Sequence, residues 1–168
     1  MSPDLGALYD RHACALFAFL LNFTRSEADT RDVMQELFLK LAARPEQLDP
    51  VRDVRGYLIR LAHRLAIDAH RRRARQASAI ERAGLETVSV FAETSDPDEA
   101  AYRVAVSEAL AELPPEQRAV VHLKLWEDRT FAEIAELLGI PANTAASRYR
   151  YALDKLQTHL RPLYDELR

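Results

Sequence analysis

The chain has 168 residues, enough for one ordinary domain or two small ones. Hydrophobic residues make up 48% of it and charged residues 29%, which is typical of a soluble globular protein and excludes an intrinsically disordered one. The single cysteine, Cys14, excludes an intrachain disulfide. Because Cys14 lies in the apolar run "ACALFAFLL", we expect a buried core thiol. That run is too short to span a bilayer and no secretory signal is evident, which predicts a cytoplasmic protein without direct membrane insertion.

Charge is unevenly distributed along the chain. The formal net charge is -3, yet residues 1–76 carry +3, residues 77–109 carry -5 and residues 110–168 carry -1. The net charge of the whole chain therefore does not show that its N-terminal part is basic, because the acidic middle part offsets this charge.

The first 76 residues predict a helical domain. Apolar residues recur at helical spacing in residues 5–23, 24–44 and 53–75. The second of these helices should stop before Pro45, because the residue before a proline disfavours the helical conformation.

Periodicity fades after this domain, and residues 77–96 are predicted to be an acidic linker. Helix restarts where Asp96 can cap the first turn, with Glu99 completing a capping box. A second capping box is predicted from Thr130 and Glu133. The chain is thus predicted to be all-α, with two small helical domains at residues 1–76 and 97–168.

The segment "TFAEIAELLGIPANTAASRYRYAL" is typical of a helix-turn-helix, with which we expect the second domain to end. Gly139 can end the first helix in the left-handed conformation, and Pro141 then starts the second. The start of the second helix would enter the major groove of DNA. The alternative is a plain helical hairpin with a charged face. The candidate DNA-binding residues are Asn143, Thr144, Ser147, Arg148, Arg150 and Tyr151.

The segment "RLAIDAHRRRARQ" places five arginines between Arg64 and Arg75. On a helical wheel the arginines separate from an apolar face, and Asp68 lies four residues from both Arg64 and Arg72 and can pair with either. An aromatic ring, Tyr57, precedes them. Aromatic rings stack on bases and arginines bind phosphates, so the helix is a candidate single-strand binding surface. The alternative is a solvated helix face.

Other chemistry is not indicated. The five histidines form no pair at metal-ligand spacing, and the sequence has no phosphate-binding glycine loop or nucleophile motif. We therefore predict no metal, no cofactor, no small-molecule substrate and no enzymatic activity.

Three segments together resemble the extracytoplasmic-function (ECF) sigma factors of bacteria. "DVMQELFLKL" is similar to the family's D-L-V-Q-E-x-F-L-R-x, and "RGYLIRLAHRLAIDAHRRR" resembles W-L-x-x-I-A-R-N-L-x-I-D-x-x-R-R. "LAELPPEQRAVVHLKLWEDRTFAEIAELLGIPANTAASRYRYALDKL" resembles the family's last domain, and the three occur in the family's order.

The resemblance implies a promoter-recognition subunit of RNA polymerase, whose partners are core polymerase, promoter DNA and an anti-sigma factor. Core polymerase would bind the helix carrying Asp32, Gln35 and Glu36. The helix-turn-helix would read the −35 element. The −10 element would be captured as single strand by Tyr57, Arg60, Arg64, Arg71, Arg72 and Arg75.

The recognition helix departs from the family pattern. Ala146 stands where the family has Lys, and Tyr151 stands where it has Arg. Two side chains that could contact phosphates are thereby absent, which predicts weaker or differently specified −35 binding. Arg64 replaces the family's Asn, and we expect it to compensate for part of this loss. The departures also motivate an alternative function, a sigma-like protein that binds an anti-sigma factor without initiating transcription.

Overall fold

The structure, a computed structural model, describes residues 4–76 and 89–166. All regular structure in these two ranges is helical, which confirms the predicted all-α fold. The helices form two compact units, one in each described range.

The first unit is a three-helix arrangement in which every helix packs against the other two. Asp4 and Ser26 cap the first two helices by accepting hydrogen bonds from backbone N–H groups of the first turn. The predicted stop before Pro45 is confirmed, and a short 3₁₀ turn follows at Pro45–Leu48. The helices are α1 (Leu5–Thr24), α2 (Glu27–Ala43) and α3 (Val54–Gln76).

The core of this unit is built from large apolar side chains of all three helices. Phe19 and Leu20 of α1, Leu37 of α2, and Leu58 and Ile59 of α3 are fully buried. Burial of such side chains supplies most of the favourable free energy of folding in a domain of this size.

Cys14 is exposed, so the expectation of a buried thiol was wrong. The apolar run around it continues over the whole helix circumference, but only one side of α1 packs into the core. Leu16, Phe19 and Leu20 lie on that side and are buried. Cys14 precedes Leu16 by two residues, about 200° around the helix, and therefore faces away from the core.

The second unit is organised around its last helix. This helix packs against all three others, and Ala152 and Leu156 of it lie in the core with Leu110, Leu113 and Val121. The helices are α4 (Pro97–Ala111), α5 (Pro115–Leu125), α6 (Phe131–Leu138) and α7 (Ala142–Glu166).

The predicted linker falls partly outside the structure, since residues 77–88 lie outside the described ranges. Its last part packs against the second unit. Val90 and Phe91 contact the core cluster, and the Phe91 ring lies 6.2 Å from that of Trp126. The guanidinium of Arg103 donates a hydrogen bond to the carbonyl of Ala92. These contacts tie the chain to the unit before α4 begins.

The start of α4 differs in one respect from the prediction. Asp96 is the N-cap as expected and accepts from the N–H groups of Asp98 and Glu99. The Glu99 carboxylate does not complete a capping box; it accepts instead from the Thr94 hydroxyl at 2.8 Å and from Arg103 at 2.6 Å. The N–H of Asp96 donates to the Thr94 hydroxyl oxygen, so Thr94 takes the place that a capping box would give Glu99.

Arg118 joins α5 to the end of α4. It is 4% exposed, and its Nη1 donates to the carbonyl oxygens of Ala111 at 3.2 Å and Leu113 at 2.5 Å. The last carbonyls of a helix have no partner within the helix, so a buried cation here satisfies groups that would otherwise be left without hydrogen bonds.

Replacing Arg118 with alanine should lower the free energy of unfolding of the second unit by about 1.5–3 kcal/mol, because charged hydrogen bonds to buried carbonyls are lost. Trp126 is the only tryptophan in the chain and lies in this unit. Its fluorescence during denaturant unfolding therefore reports this unit. Arg161→Ala, which removes an exposed arginine of α7, is the matched control. Equal stability of the two variants would contradict the role of Arg118.

Candidate nucleic-acid and polymerase interfaces

The rotation of α7 is fixed by its buried side. Ala145 and Ala152 are fully buried and Leu156 nearly so. These residues recur at spacings of seven and four, so they lie on one side of the helix. None of the six candidate −35 residues is buried: Asn143, Thr144, Ser147, Arg148, Arg150 and Tyr151. At 100° per residue, Asn143, Ser147, Arg150 and Tyr151 lie on the opposite side. Thr144 and Arg148 lie between that side and the buried one.

Side chains on this face also contact one another. The Arg150 guanidinium lies over the Tyr151 ring, 5.2 Å from its centroid, which is cation–π distance. The Ser147 hydroxyl donates to the carbonyl of Asn143 one turn earlier and leaves its oxygen lone pairs as acceptors. Tyr151 is 53% exposed, so the position where the ECF pattern has arginine presents an aromatic ring.

The turn before α7 follows the predicted geometry. Gly139 has φ 67° and ψ 40°, the left-handed conformation, and its N–H bonds to the carbonyl of Ala135. Rings of Phe131 and Tyr149, with centroids 5.6 Å apart, hold α6 against α7. The start of α7 is thereby presented at a defined angle to α6, as a helix-turn-helix requires.

The basic stripe of α3 likewise lies opposite a buried face. The helical wheel places Leu58, Leu61, Ala62, Leu65 and Ala69 on the apolar face. Leu58, Ala62 and Leu65 are buried, together with Ile59 and Ala66, whereas Leu61 and Ala69 are half-buried. At 100° per residue, five of the six candidate −10 residues fall within an arc of about 60° on the other side. These five are Tyr57, Arg60, Arg64, Arg71 and Arg75. Arg64 and Arg71 are exposed.

Tyr57 is half-buried at the beginning of this stripe. Its hydroxyl donates to Oε1 of Gln47 in the 3₁₀ turn at 3.1 Å, which fixes the orientation of the ring. Asp53 accepts from the N–H of Gly56 at 2.9 Å and so caps the start of α3. The ring is held at the end of the stripe without being removed from solvent.

The three candidate polymerase-binding residues lie on the outer side of α2. Asp32 and Gln35 are exposed, and Glu36 is half-buried. The Glu36 carboxylate pairs with Arg72 of α3 at 3.3 Å and with Lys40 of its own helix at 3.6 Å. The sequence-predicted polymerase and −10 surfaces therefore touch at Glu36 and Arg72.

Matches to known proteins identify the family of this chain. Residues 8–76 match sigma-70 region 2, and residues 103–156 match sigma-70 region 4. The ECF RNA polymerase sigma factor SigL of Mycobacterium tuberculosis strain H37Rv is 37% identical over 161 residues, covering 94% of this chain and 89% of SigL. The ECF sigma factor SigW of Bacillus subtilis strain 168 is 27% identical over 144 residues, covering 80% of this chain and 77% of SigW.

The chain belongs to the ECF group of the sigma-70 family. It is a promoter-recognition subunit that binds core RNA polymerase and promoter DNA, as the resemblance implied. The fold agrees. The sigma factor RpoE of Bartonella quintana, solved in complex with the anti-sigma factor NepR, superposes with a TM-score of 0.67 at 21% identity, covering 88% of this chain and 90% of RpoE.

Two contacts of the sigma factor were not foreseen. Arg73 pairs with Asp29. Asp68 was predicted to be able to pair with either Arg64 or Arg72, whereas Arg72 pairs with Glu36. A signal for the α2 side existed in the sequence, since Asp29, Asp32 and Glu36 share one side of α2. Their ion-pair partners on α3 could not be predicted from the sequence, because the register between two packed helices depends on tertiary contacts.

Within residues 4–76 and 89–166 the sigma factor has no cluster of side chains able to hold a metal ion. No helix in these ranges is long and apolar enough to cross a membrane.

The start of α6 carries the one complete capping box of the described helices. The Glu133 N–H donates to the Thr130 hydroxyl oxygen at 3.2 Å, while the Thr130 N–H donates to the Glu133 carboxylate at 2.7 Å. The Thr130 hydroxyl also donates to this carboxylate, at 2.8 Å. These hydrogen bonds, first that from the Thr130 backbone, lower the pKa of Glu133 below its ordinary value of 4.5, and Arg129 adds to the effect.

Glu133 should therefore titrate below pH 4.5 in the folded protein. A carboxyl group whose pKa is lower in the folded than in the unfolded protein stabilises the fold at pH values above its unfolded pKa. This stabilisation is lost as the pH falls through the folded pKa. Thr130→Val removes the hydroxyl and keeps the N–H, so it should raise the Glu133 pKa part of the way toward 4.5. NMR titration of the Glu133 side chain measures both. An unchanged pKa in Thr130→Val would show that the hydroxyl has no part in the capping box.

Proposed function

We propose that the sigma factor uses three surfaces in initiation. Asp32, Gln35 and Glu36 on α2 bind core polymerase, the stripe of α3 captures the −10 element as single strand, and α7 reads the −35 element in the major groove. The observation that carries the proposal is the rotation of α3 and α7, because each helix buries one side and turns its candidate residues outward.

The stripe of α3 has the chemistry of a single-strand site. Tyr57 offers a ring for base stacking, and the arginines that follow on the same side offer cations for the backbone. Successive arginines of the stripe are separated by four or seven residues, so they extend for several helical turns along one line. The phosphates of a single strand can follow such a line of arginines, whereas a compact cluster of cations would not form a line.

The face of α7 separates into a centre and two flanks. Asn143, Ser147 and Tyr151 recur at spacing four and occupy the centre. Arg148 and Arg150 are two residues apart, about 160° around the helix, and lie on opposite flanks. We assign the centre to base edges and the flanks to phosphates of the two groove walls.

We also propose that an anti-sigma factor regulates this protein in the cytoplasm, and that it acts without catalysis of its own. Support for the partner comes from RpoE of Bartonella quintana, which shares the fold and was solved with an anti-sigma factor.

The α2 and α3 assignments predict opposite phenotypes. Run-off transcription from a genomic library with core polymerase first supplies a promoter. On it, Tyr57→Ala should weaken −10 capture by about 1–3 kcal/mol, the usual value of one stacked base, and leave core binding intact. Asp32→Asn should weaken core binding first. Promoter opening is followed by permanganate reactivity of unpaired thymines, and core binding by fluorescence anisotropy.

Tyr57→Phe is the matched control, since it keeps the ring and removes only the hydroxyl bonded to Gln47. It should open the promoter nearly as well as the wild type. Arg71→Ala should resemble Tyr57→Ala. Equal loss of opening and core binding in these variants would contradict the assignment. A complete lack of transcripts from the library, with an anti-sigma partner still bound, would favour the alternative of a non-initiating interaction protein.

The α7 assignment predicts how salt affects duplex binding. Arg148→Ala and Arg150→Ala should each reduce the slope of log affinity against log salt by about 0.9, because each removes one phosphate contact. Asn143→Ala should change sequence preference and leave this slope unchanged. Titration of −35 duplex DNA at several salt concentrations measures both effects.

Arg161→Ala again serves as the control, since Arg161 is exposed on α7 beyond the candidate face. A slope change in this variant equal to that of Arg148→Ala would mean that the arginines act only through net charge.

A further inference from the structure

Arg150 on the outer face of α7 is held by an aromatic ring and by no acid. Its guanidinium carbon lies 5.2 Å from the centroid of the Tyr151 ring. Within residues 4–76 and 89–166, Arg150 has no hydrogen-bond or ion-pair partner. Asp154 follows it by four residues, a spacing at which ion pairs form on helices, yet the guanidinium lies over the ring instead. The ring therefore determines where this exposed cation rests.

The contact with the ring leaves the hydrogen-bond donors of Arg150 available. A cation–π contact joins the positive charge of the guanidinium to the face of the ring. It occupies none of the five N–H donors that an arginine carries. A phosphate is bound through these donors, often through two at once. Tyr151 can thus orient Arg150 without competing with a phosphate for it.

The departures of the recognition helix from the ECF pattern adjoin Arg150. Ala146, where the pattern has Lys, precedes it by four residues, and Tyr151, where the pattern has Arg, follows it directly. The pattern sets no residue at position 150. The cation that the family has at position 151 is therefore found one residue earlier in this chain, beside a ring. A lysine at position 146 would repel it, because like charges four residues apart on a helix disfavour each other.

We propose that Tyr151 is a positioning residue for Arg150 in the binding of duplex DNA. The ring restricts the rotamers of the arginine before DNA arrives, so less side-chain entropy is lost when the guanidinium reaches a phosphate of the groove wall. The other face and the edge of the ring stay free for a base. The proposal rests on the assignment of Arg150 to a phosphate made under the proposed function.

The proposal is tested with the full chain and a labelled duplex of unrelated sequence at low salt, because such a duplex excludes base readout. Tyr151→Leu should weaken binding by about 2- to 5-fold, the equivalent of one exposed cation–π contact. The slope of log affinity against log salt should keep its wild-type value, because Arg150 still reaches its phosphate. Arg150→Ala should lower this slope by about 0.9.

Three further variants separate positioning from other roles of the ring. In the Arg150→Ala background, Tyr151→Leu should cause no further loss, because no arginine remains to be held. Tyr151→Phe keeps the ring and should restore the affinity that Tyr151→Leu loses. Tyr164→Leu is the matched control, since Tyr164 is a 72% exposed tyrosine of α7 beyond the candidate face, and it should bind as the wild type does.

The free protein gives a readout that needs no DNA. The NMR order parameter of the Arg150 side-chain Nε–H should fall in Tyr151→Leu and stay at its wild-type value in Tyr151→Phe. Because the ring of Tyr151 is 53% exposed, unfolding curves followed by Trp126 fluorescence should be the same for both variants. An unchanged order parameter in Tyr151→Leu would show that the ring does not hold the arginine.

The outcomes distinguish failure of the proposal from failure of the assignment beneath it. If Tyr151→Leu binds the unrelated duplex more tightly than the wild type, the ring withholds Arg150 from phosphate and the proposal is overturned. It is also overturned if the loss persists in the Arg150→Ala background, because the ring then contacts DNA itself. If Arg150→Ala changes neither affinity nor slope, the phosphate assignment is wrong and the proposal falls with it. If Arg150→Ala lowers both and Tyr151→Leu changes nothing, the assignment stands and positioning alone is overturned.

Discussion

Burial of one side of α3 against α1 and α2 determines what the N-terminal unit can present to solvent. Leu58, Ala62 and Leu65 enter the core, and their position leaves the helix no rotational freedom. Tyr57 and the arginines of the stripe then face outward as a consequence of packing. A helix with the same arginines and a scattered apolar pattern would have no fixed orientation, and its cations would form no line along which a strand could bind.

The second unit applies the same constraint to α7 with smaller side chains. Ala145 and Ala152 are fully buried. Small residues allow close approach of neighbouring helices, and α7 packs against α4, α5 and α6 at once. Arg118 reinforces this arrangement from α5 by bonding to carbonyls at the end of α4. The orientation of the recognition helix is therefore determined by the whole unit as well as by the preceding turn.

The sequence predicted those features that depend on neighbouring residues. Helix periodicity, the stop before Pro45, the Thr130–Glu133 capping box and the Gly139 turn are all local, and all are confirmed. The prediction for Cys14 was wrong because an apolar run does not show which side of the helix packs into the core. The prediction for Glu99 was wrong because its carboxylate accepts hydrogen bonds from Thr94 and Arg103 instead of completing the capping box. The contacts of Arg72 and Arg73 with α2 join residues 36 and 44 positions apart, and helical periodicity carries no information about them. The residue assignments on α2, α3 and α7 remain predictions.

Gly139 shows that a glycine can be required for its backbone angles alone. A Cβ added at this position would meet no atom within 4 Å, so the space beside the turn is open. Its positive φ is the feature that other residues adopt at a cost, and asparagine bears that cost better than most. Asparagine in this turn is thus compatible with the same helix-turn-helix geometry, whereas a β-branched residue is not. A relative with asparagine in place of this glycine would keep the helix-turn-helix, although a sequence motif that requires glycine would not match it.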